Sequence, residues 1–274
     1  MATYLDRIVE AHRASAAADR RDPAALADAA LSAPPARGFE AGLRSGDHLA
    51  VIAEIKRASP SKGTLRPDLD PAGTARAYEE GGASALSVLT DREFFDGSEA
   101  DLRAARAATR LPVLRKDFTV CANDVLDARI MGADAVLLIV AALSDAELAE
   151  LMAVAASVGI DALVEVHDET EAARAVSAGA TMVGVNQRDL FTFEVDTGRA
   201  VRVAASLPED VCRVAESGIS GPADAEILAG AGFDAVLVGE SLVRSSEPAA
   251  AVSGMARVAR RTKAASGARP RAAS

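Results

Sequence analysis

Short apolar runs recur along the chain at a regular interval and fall into two interleaved sets. Four share one entry pattern: GASALSVL from Gly82, GADAVLLI from Gly132, GATMVGVN from Gly179 and GFDAVLVG from Gly232. Each places a glycine where a helix should stop, then a small residue, then a run rich in Val and Leu. The four glycines lie 50, 47 and 53 residues apart. Between them sit LPVLRKD from Leu111, IDALVEV from Ile160 and DVCRVAES from Asp210, and HLAVIAEIK from His48 precedes them all.

The eight runs end near Glu54, Thr90, Lys116, Ile139, Glu165, Asn186, Glu216 and Gly239, about 26 residues per unit. Intervening stretches such as DPAGTARAYEEGG, SDAELAELMAVAASVG and GPADAEILAGAG read as helices. Asp70 before Pro71, and Ser144 with Glu147 three residues on, are predicted N-caps. Nearly continuous apolar strands alternating with helices mean a parallel sheet covered on both faces. Eight units, alike at every second strand, predict an α/β fold closed as a single (β/α)8 TIM barrel with an N-terminal helical extension. An open doubly wound sheet is the alternative, but no G-x-G-x-x-G follows the first strand.

The predicted barrel domain spans 47–263. Residues 1–46 form the extension and linker: Thr3 with Asp6 resembles a cap, and Leu5, Ile8 and Val9 make the apolar stripe of a short helix. SAPPARGFEAGLRSG then reads as a linker onto the first strand. The tail, 264–274, is small, basic and aperiodic, which predicts disorder.

Composition narrows the function classes. A chain of 274 residues suits one barrel and can bury roughly three quarters of its unfolded surface without staples. Forty acidic against 30 basic residues leave a net charge of −10. A pI near 4.9 with scattered charge argues against nucleic-acid binding, which needs a basic footprint. Cys121 and Cys212 make no disulfide framework, which predicts a reducing, cytoplasmic setting. The charged start MATYLDRIVEAHR is no signal peptide. The longest uninterrupted apolar run, Ala135 to Leu143, is about half of the roughly 20 residues a membrane-spanning helix needs.

In such a barrel, chemistry belongs at the C-terminal ends of the strands. There the first run meets Glu54 and Lys56, the third Lys116 and Asp117, the fifth Glu165, the sixth Asn186 and Arg188, the seventh Glu216, Ser217 and Gly218. Cations and carboxylates around one mouth hold each other ionised while burial pushes toward neutrality, which suits acid/base work on an anionic substrate. Metal binding is not expected, because His12, His48 and His167 are scattered; His167, just past a strand end, reads as a solvated loop residue. ESGISG after the seventh run, and Gly239 and Ser241 after the eighth, read as a phosphate seat, with SPSKG (Ser59 to Gly63) as a flap over it.

The stretches IAEIKRASPSKG, LTDREFFDGS, LRKDF, LVEVH, VGVNQRDLFTFEVD, AESGI and VGESL, in this order across the whole barrel, resemble the indole-3-glycerol-phosphate synthase family of tryptophan biosynthesis. The resemblance implies ring closure of 1-(2-carboxyphenylamino)-1-deoxyribulose 5-phosphate, with loss of carbon dioxide and water and without cofactor or metal. By that likeness Lys116 is the acid that protonates the developing oxyanion, Glu165, Glu54 and Lys56 form a second acid/base set, and Asn186 and Arg188 position the reacting region. Ser59, Glu216, Ser217, Gly218, Gly239 and Ser241 bind the substrate and its phosphate, and Phe94, Phe95, Phe118 and Leu137 line a slot for its aromatic ring. The family often carries an asparagine-rich run after the sixth strand, where this chain has Gln187 and Asp189 around Arg188, so Asp189 is expected to compete for that guanidinium.

The implied partner is the phosphorylated small molecule alone, with the enzyme a monomer or weak homo-oligomer and no second barrel downstream. One rival is another phosphosugar barrel, such as the isomerase acting on phosphoribosylanthranilate, which is expected to use a cysteine and an aspartate where this chain has Glu54/Lys56 and Asn186/Arg188. The other is a barrel that binds a phosphorylated ligand without turnover, which has no need of Lys116 and Glu165.

Overall fold

Eight parallel strands close on themselves in the computed structural model, which describes residues 3–60, 62–189 and 193–260. They are β1 (Ala50–Ile55), β2 (Ala85–Leu89), β3 (Val113–Lys116), β4 (Ala135–Ile139), β5 (Asp161–Val166), β6 (Met182–Asn186), β7 (Cys212–Glu216) and β8 (Ala235–Val238). Each pairs with its neighbours in the chain, and β8 closes onto β1. Every predicted strand end lies within one residue of the observed one. The Asp70 and Ser144 caps form as expected, their side chains accepting from the Ala72 and Glu147 amides.

Strand side chains alternate between two cores. Val51, Ala53, Ile55, Leu86, Val88, Val164 and Val166 face the helices, whereas Ala50, Ile52, Leu114, Leu163, Met182, Val214 and Leu237 fill the barrel interior. Continuing the inward parity up each strand reaches Glu54, Lys116, Glu165, Asn186 and Glu216. The same register that packs the core therefore aims the acids and bases at one mouth. A slip of one residue would turn each of them into the helix layer.

The N-terminal extension is more elaborate than a short helix and a linker. It holds α1 (Tyr4–Ala18), α2 (Pro23–Ser32) and α3 (Phe39–Arg44). The Thr3–Asp6 capping box opens α1. Within the expected linker, Gly38 enters α3 with φ 69°, a left-handed conformation suited to glycine. Phe39 and Leu43, one turn apart, are fully buried in the interior cluster with Ala50, Ala85, Ala135, Cys212 and Ala235, so small strand-start residues make room for a plug from below. Buried Asp134 secures it, accepting from the Arg37 and Val113 amides at 2.7 Å each and from Arg106. Cys121 sits at the N-cap of helix Ala122–Met131 and Cys212 is buried in β7. The 264–274 tail lies outside the described residues.

Candidate active site

A cavity of about 630 Å³ opens at the C-terminal ends of the strands. Of the expected site residues, Glu54, Lys56, Ser59, Phe95, Lys116, Phe118, Leu137, Glu165, Asn186, Arg188, Glu216, Ser217, Gly218, Gly239 and Ser241 all line it. Phe94 does not. Consecutive residues of the short helix Arg92–Phe95 point in different directions, and Phe94 packs edge-on against Tyr4 (ring centroids 6.0 Å apart) while Phe95 stacks toward Phe118 at 6.1 Å.

Lys116 Nζ lies 3.1 Å from Glu165 Oε2 and 3.6 Å from Glu216 Oε2. Burial disfavours its charge, but Glu165, Glu216 and Glu54 outweigh this and hold the ammonium ionised well above the ordinary lysine range. The two carboxyls beside it are driven apart. Burial raises Glu165, yet Lys116 and His167 dominate and bring it to about 2, and Asn186 Nδ2 donates to its Oε1 at 3.1 Å. Glu216 moves well above the carboxylate range, because it is buried and faces the negative Glu165; its Oε1 has no hydrogen-bond partner. A charged lysine thus sits between one ionised carboxylate and one carboxyl biased toward the acid form.

A second pair stands on β1. Lys56 Nζ is 2.5 Å from Glu54 Oε1, and Ser87 Oγ donates to Glu54 Oε2 at 3.5 Å. Gly239 makes room for this pair: a Cβ there would collide with Glu54 Oε1 and stand 3.1 Å from Lys56 Nζ.

The proposed phosphate side is built from turns. Ser217 and Gly218 take successive left-handed conformations, φ 66° and 72°. The first-turn amides of the helix Glu240–Val243 have no intrahelical acceptor. Ser241 Oγ donates to Ile219 O at 3.1 Å. Lys62 Nζ and Arg244 Nε approach Glu240 Oε1 at 3.8 and 3.4 Å.

Several lining residues escaped the sequence reading. Tyr4, Leu5 and Ile8 bring α1 over the mouth, and Phe193 and Val195 come from the loop after β6. The Leu5/Ile8 stripe was visible as an apolar face, but nothing in the pattern said which surface it covers. Gln187, read only as a departure from the family pattern, is almost fully buried and donates to Ser217 O at 2.8 Å, bracing the phosphate-side turn. Asp189 lies 3.6 Å from Arg199, while Arg188 Nη1 donates to Phe193 O at 3.0 Å.

His167 overturns the expectation of a solvated loop residue. Its side chain is 13% exposed, Nδ1 lies 3.1 Å from Glu171 Oε2 and Nε2 3.6 Å from Glu165 Oε1. The reason is local: Asp168 caps the helix Glu169–Ser177, whose first turn folds Glu171 back onto the His167 amide at 2.8 Å.

A family model described as indole-3-glycerol phosphate synthase matches residues 5–255. The chain is 52% identical over 253 residues to the indole-3-glycerol phosphate synthase of Mycobacterium ulcerans, covering 92% of this chain and 93% of that one. It is 53% identical over 255 residues to the protein of that name from Mycolicibacterium vanbaalenii, with the same coverages, and 51% identical over 252 residues to that of Micrococcus luteus, covering 90% and 94%. Among solved structures, a thiamine phosphate pyrophosphorylase from Pyrococcus furiosus aligns with a TM-score of 0.57 at 16% identity, over 77% of this chain and 94% of that one, a likeness of fold alone.

Proposed function

The chain belongs to the indole-3-glycerol phosphate synthase family, and from that membership we propose that Lys116, seated between Glu165 and Glu216, is the acid that begins its ring closure. The reaction converts 1-(2-carboxyphenylamino)-1-deoxyribulose 5-phosphate into indole-3-glycerol phosphate, carbon dioxide and water, a carboxy-lyase step of tryptophan biosynthesis. The ring carbon that bears the carboxylate attacks the ketone carbon. Charge develops on the ketone oxygen, and an ammonium preorganised by two buried carboxyls meets it with a proton.

Loss of carbon dioxide then returns the bonding pair to the ring. A hydroxyl leaves as water and a carbon-bound proton is lost, which calls for an acid and a base. Glu165, steadied by Asn186, and the Glu54–Lys56 pair supply them in this reading. Lys56 and Arg188 offset the substrate carboxylate. Phe95, Phe118 and Leu137, together with Leu5 and Ile8 of α1, hold the aromatic ring. Ser59, Ser217, Gly218, Gly239 and Ser241 receive the phosphate, with Lys62 and Arg244 adding positive charge. The reading assigns no step to a metal or cofactor.

The phosphorylated substrate is the only partner it requires, so the enzyme works as a monomer or weak homo-oligomer in the cytoplasm. In support, no helix among the described residues is long and apolar enough to cross a membrane, and both cysteines are free thiols.

The observation that carries the reading is Lys116 within 3.6 Å of both carboxyls inside the cavity. An ultraviolet assay of indole formation on Lys116→Ala and Glu165→Gln tests it. Both should lose turnover while keeping the fold, and undiminished rates would remove them from the chemistry.

A further inference from the structure

The ring closure has a proton balance that the acid/base groups must restore in every turnover. The substrate carboxylate departs as neutral carbon dioxide and the ketone oxygen departs as water, so each turnover takes up one proton. Bound substrate occupies the cavity through which solvent would reach Lys116. We propose that His167 is the positioning residue that relays this proton from a second cavity, behind Glu165, to the acid/base cluster. The proposal rests on the roles given above to Lys116 and Glu165.

The second cavity, of about 260 Å³, is lined by His167, Glu171 and Arg199 and rimmed by Asp168, Glu169, Asp189 and Arg202. It shares no lining residue with the first, yet His167 spans the wall between them. Its Nε2 is buried, has no hydrogen-bond partner and points to Glu165 Oε1 at 3.6 Å, while Nδ1 is held by Glu171 at 3.1 Å. A neutral imidazole has a single N–H, so one of its nitrogens would turn a lone pair on a carboxylate. Only the imidazolium satisfies both, and Glu171 and Glu165 raise the His167 pKa against burial and against Arg199.

The path balances. After Lys116 has given its proton to the ketone oxygen, the Nε2 proton of His167 moves to Oε1 of the Glu165 carboxylate. The carboxyl then rotates about its Cγ–Cδ bond, so that the protonated oxygen takes the place of Oε2, 3.1 Å from Lys116, and passes the proton to the neutral amine. Glu165 returns to its ionised state, and the imidazole regains its proton from water in the outer cavity. No other bond changes.

His167→Ala, assayed for indole formation from pH 6 to 9 with and without added imidazole, tests the relay. The expected result is a kcat at least about 10-fold lower at the acidic end, a deficit that narrows as pH rises through the raised His167 value, a nearly unchanged KM, and partial recovery with imidazole, within the usual scale for losing a proton-transfer group. Glu171→Gln, which keeps an acceptor for the His167 amide, should shift the alkaline limb of the wild-type profile downward in pH. Unchanged kcat and pH profiles in both variants would overturn the relay, as would a loss in His167→Ala that is uniform in pH and insensitive to imidazole, the mark of a merely structural residue. Lys116→Ala separates the two levels: if it loses turnover while the His167 variant behaves normally, only the relay falls.

Discussion

Gly184 and Glu216 occupy one space: a Cβ on Gly184 would overlap Glu216 Oε1 and stand 3.2 Å from Leu163 Cδ1. The buried carboxyl beside Lys116 fits inside the barrel only because the neighbouring strand presents no side chain at that level. Gly184→Ala should therefore displace Glu216, cut kcat by at least about 10-fold, and lower stability by about 1–3 kcal/mol, the scale of overpacking a full core. Steady-state kinetics with thermal unfolding check both effects. A variant with native rate and native Tm would mean that Glu216 rearranges freely and that its placement does not matter.

Lys116→Ala removes the proposed acid and also strands two buried carboxyls. Its kcat should fall by at least about 10²-fold, the scale of losing a positioned general acid, with a much smaller change in KM. Because breaking a buried ion pair can cost about 3–5 kcal/mol, Lys116→Met is the companion variant, keeping the side-chain volume. If the Met variant unfolds at the wild-type temperature and turns over at the wild-type rate, Lys116 is not the acid.

Gly239 carries two expectations that geometry tells apart. As part of a phosphate seat, a side chain there would obstruct backbone donors and raise KM alone. Its Cβ direction meets the Glu54–Lys56 pair first, and its φ of −120° is not in the left-handed range that favours glycine. Gly239→Ala should then lower kcat by about 10-fold as well as raise KM, since small displacements of catalytic groups are expensive in rate. A rise in KM with kcat intact would assign Gly239 to the phosphate and detach it from the acid/base pair.

What the chain pattern discloses, and what it hides, follows from where the information resides. The barrel was legible because glycine-led apolar runs repeat with every second strand. The mouth was legible because five strands stop on ionisable or amide groups, and period-two alternation sends Glu54, Lys116, Glu165, Asn186 and Glu216 to the interior. Three features were not. Phe39 and Leu43 plug the barrel floor from a segment that reads as a linker, because a six-residue helix is too short to show a period. Tyr4, Leu5 and Ile8 join the mouth across the whole length of the chain, which local pattern does not encode. His167 looks like any polar residue after a strand until the Glu169–Ser177 helix folds Glu171 against it.

His12 gives the N-terminal helix a charge-dependent tie to the mouth. Its Nε2 lies 2.8 Å from Asp91 and 3.8 Å from Asp117, which Arg115 also approaches at 2.9 Å. Burial lowers its pKa, but Asp91, Asp117 and Asp124 outweigh it, so the net shift is upward. A raised folded-state value means that the stabilisation is complete below the unfolded value near 6.5 and is lost as pH rises through the folded one. Wild type should therefore exceed His12→Gln in stability by about 1–2 kcal/mol at pH 6, the scale of a partly buried charged hydrogen bond, and the gap should narrow toward pH 9. Chemical denaturation of both proteins at the two pH values measures it. Since Leu5 and Ile8 ride on the same helix, the loosened tie should also raise KM at the alkaline end in wild type. A stability gap that stays constant or widens with pH would show that His12 holds α1 as a neutral group.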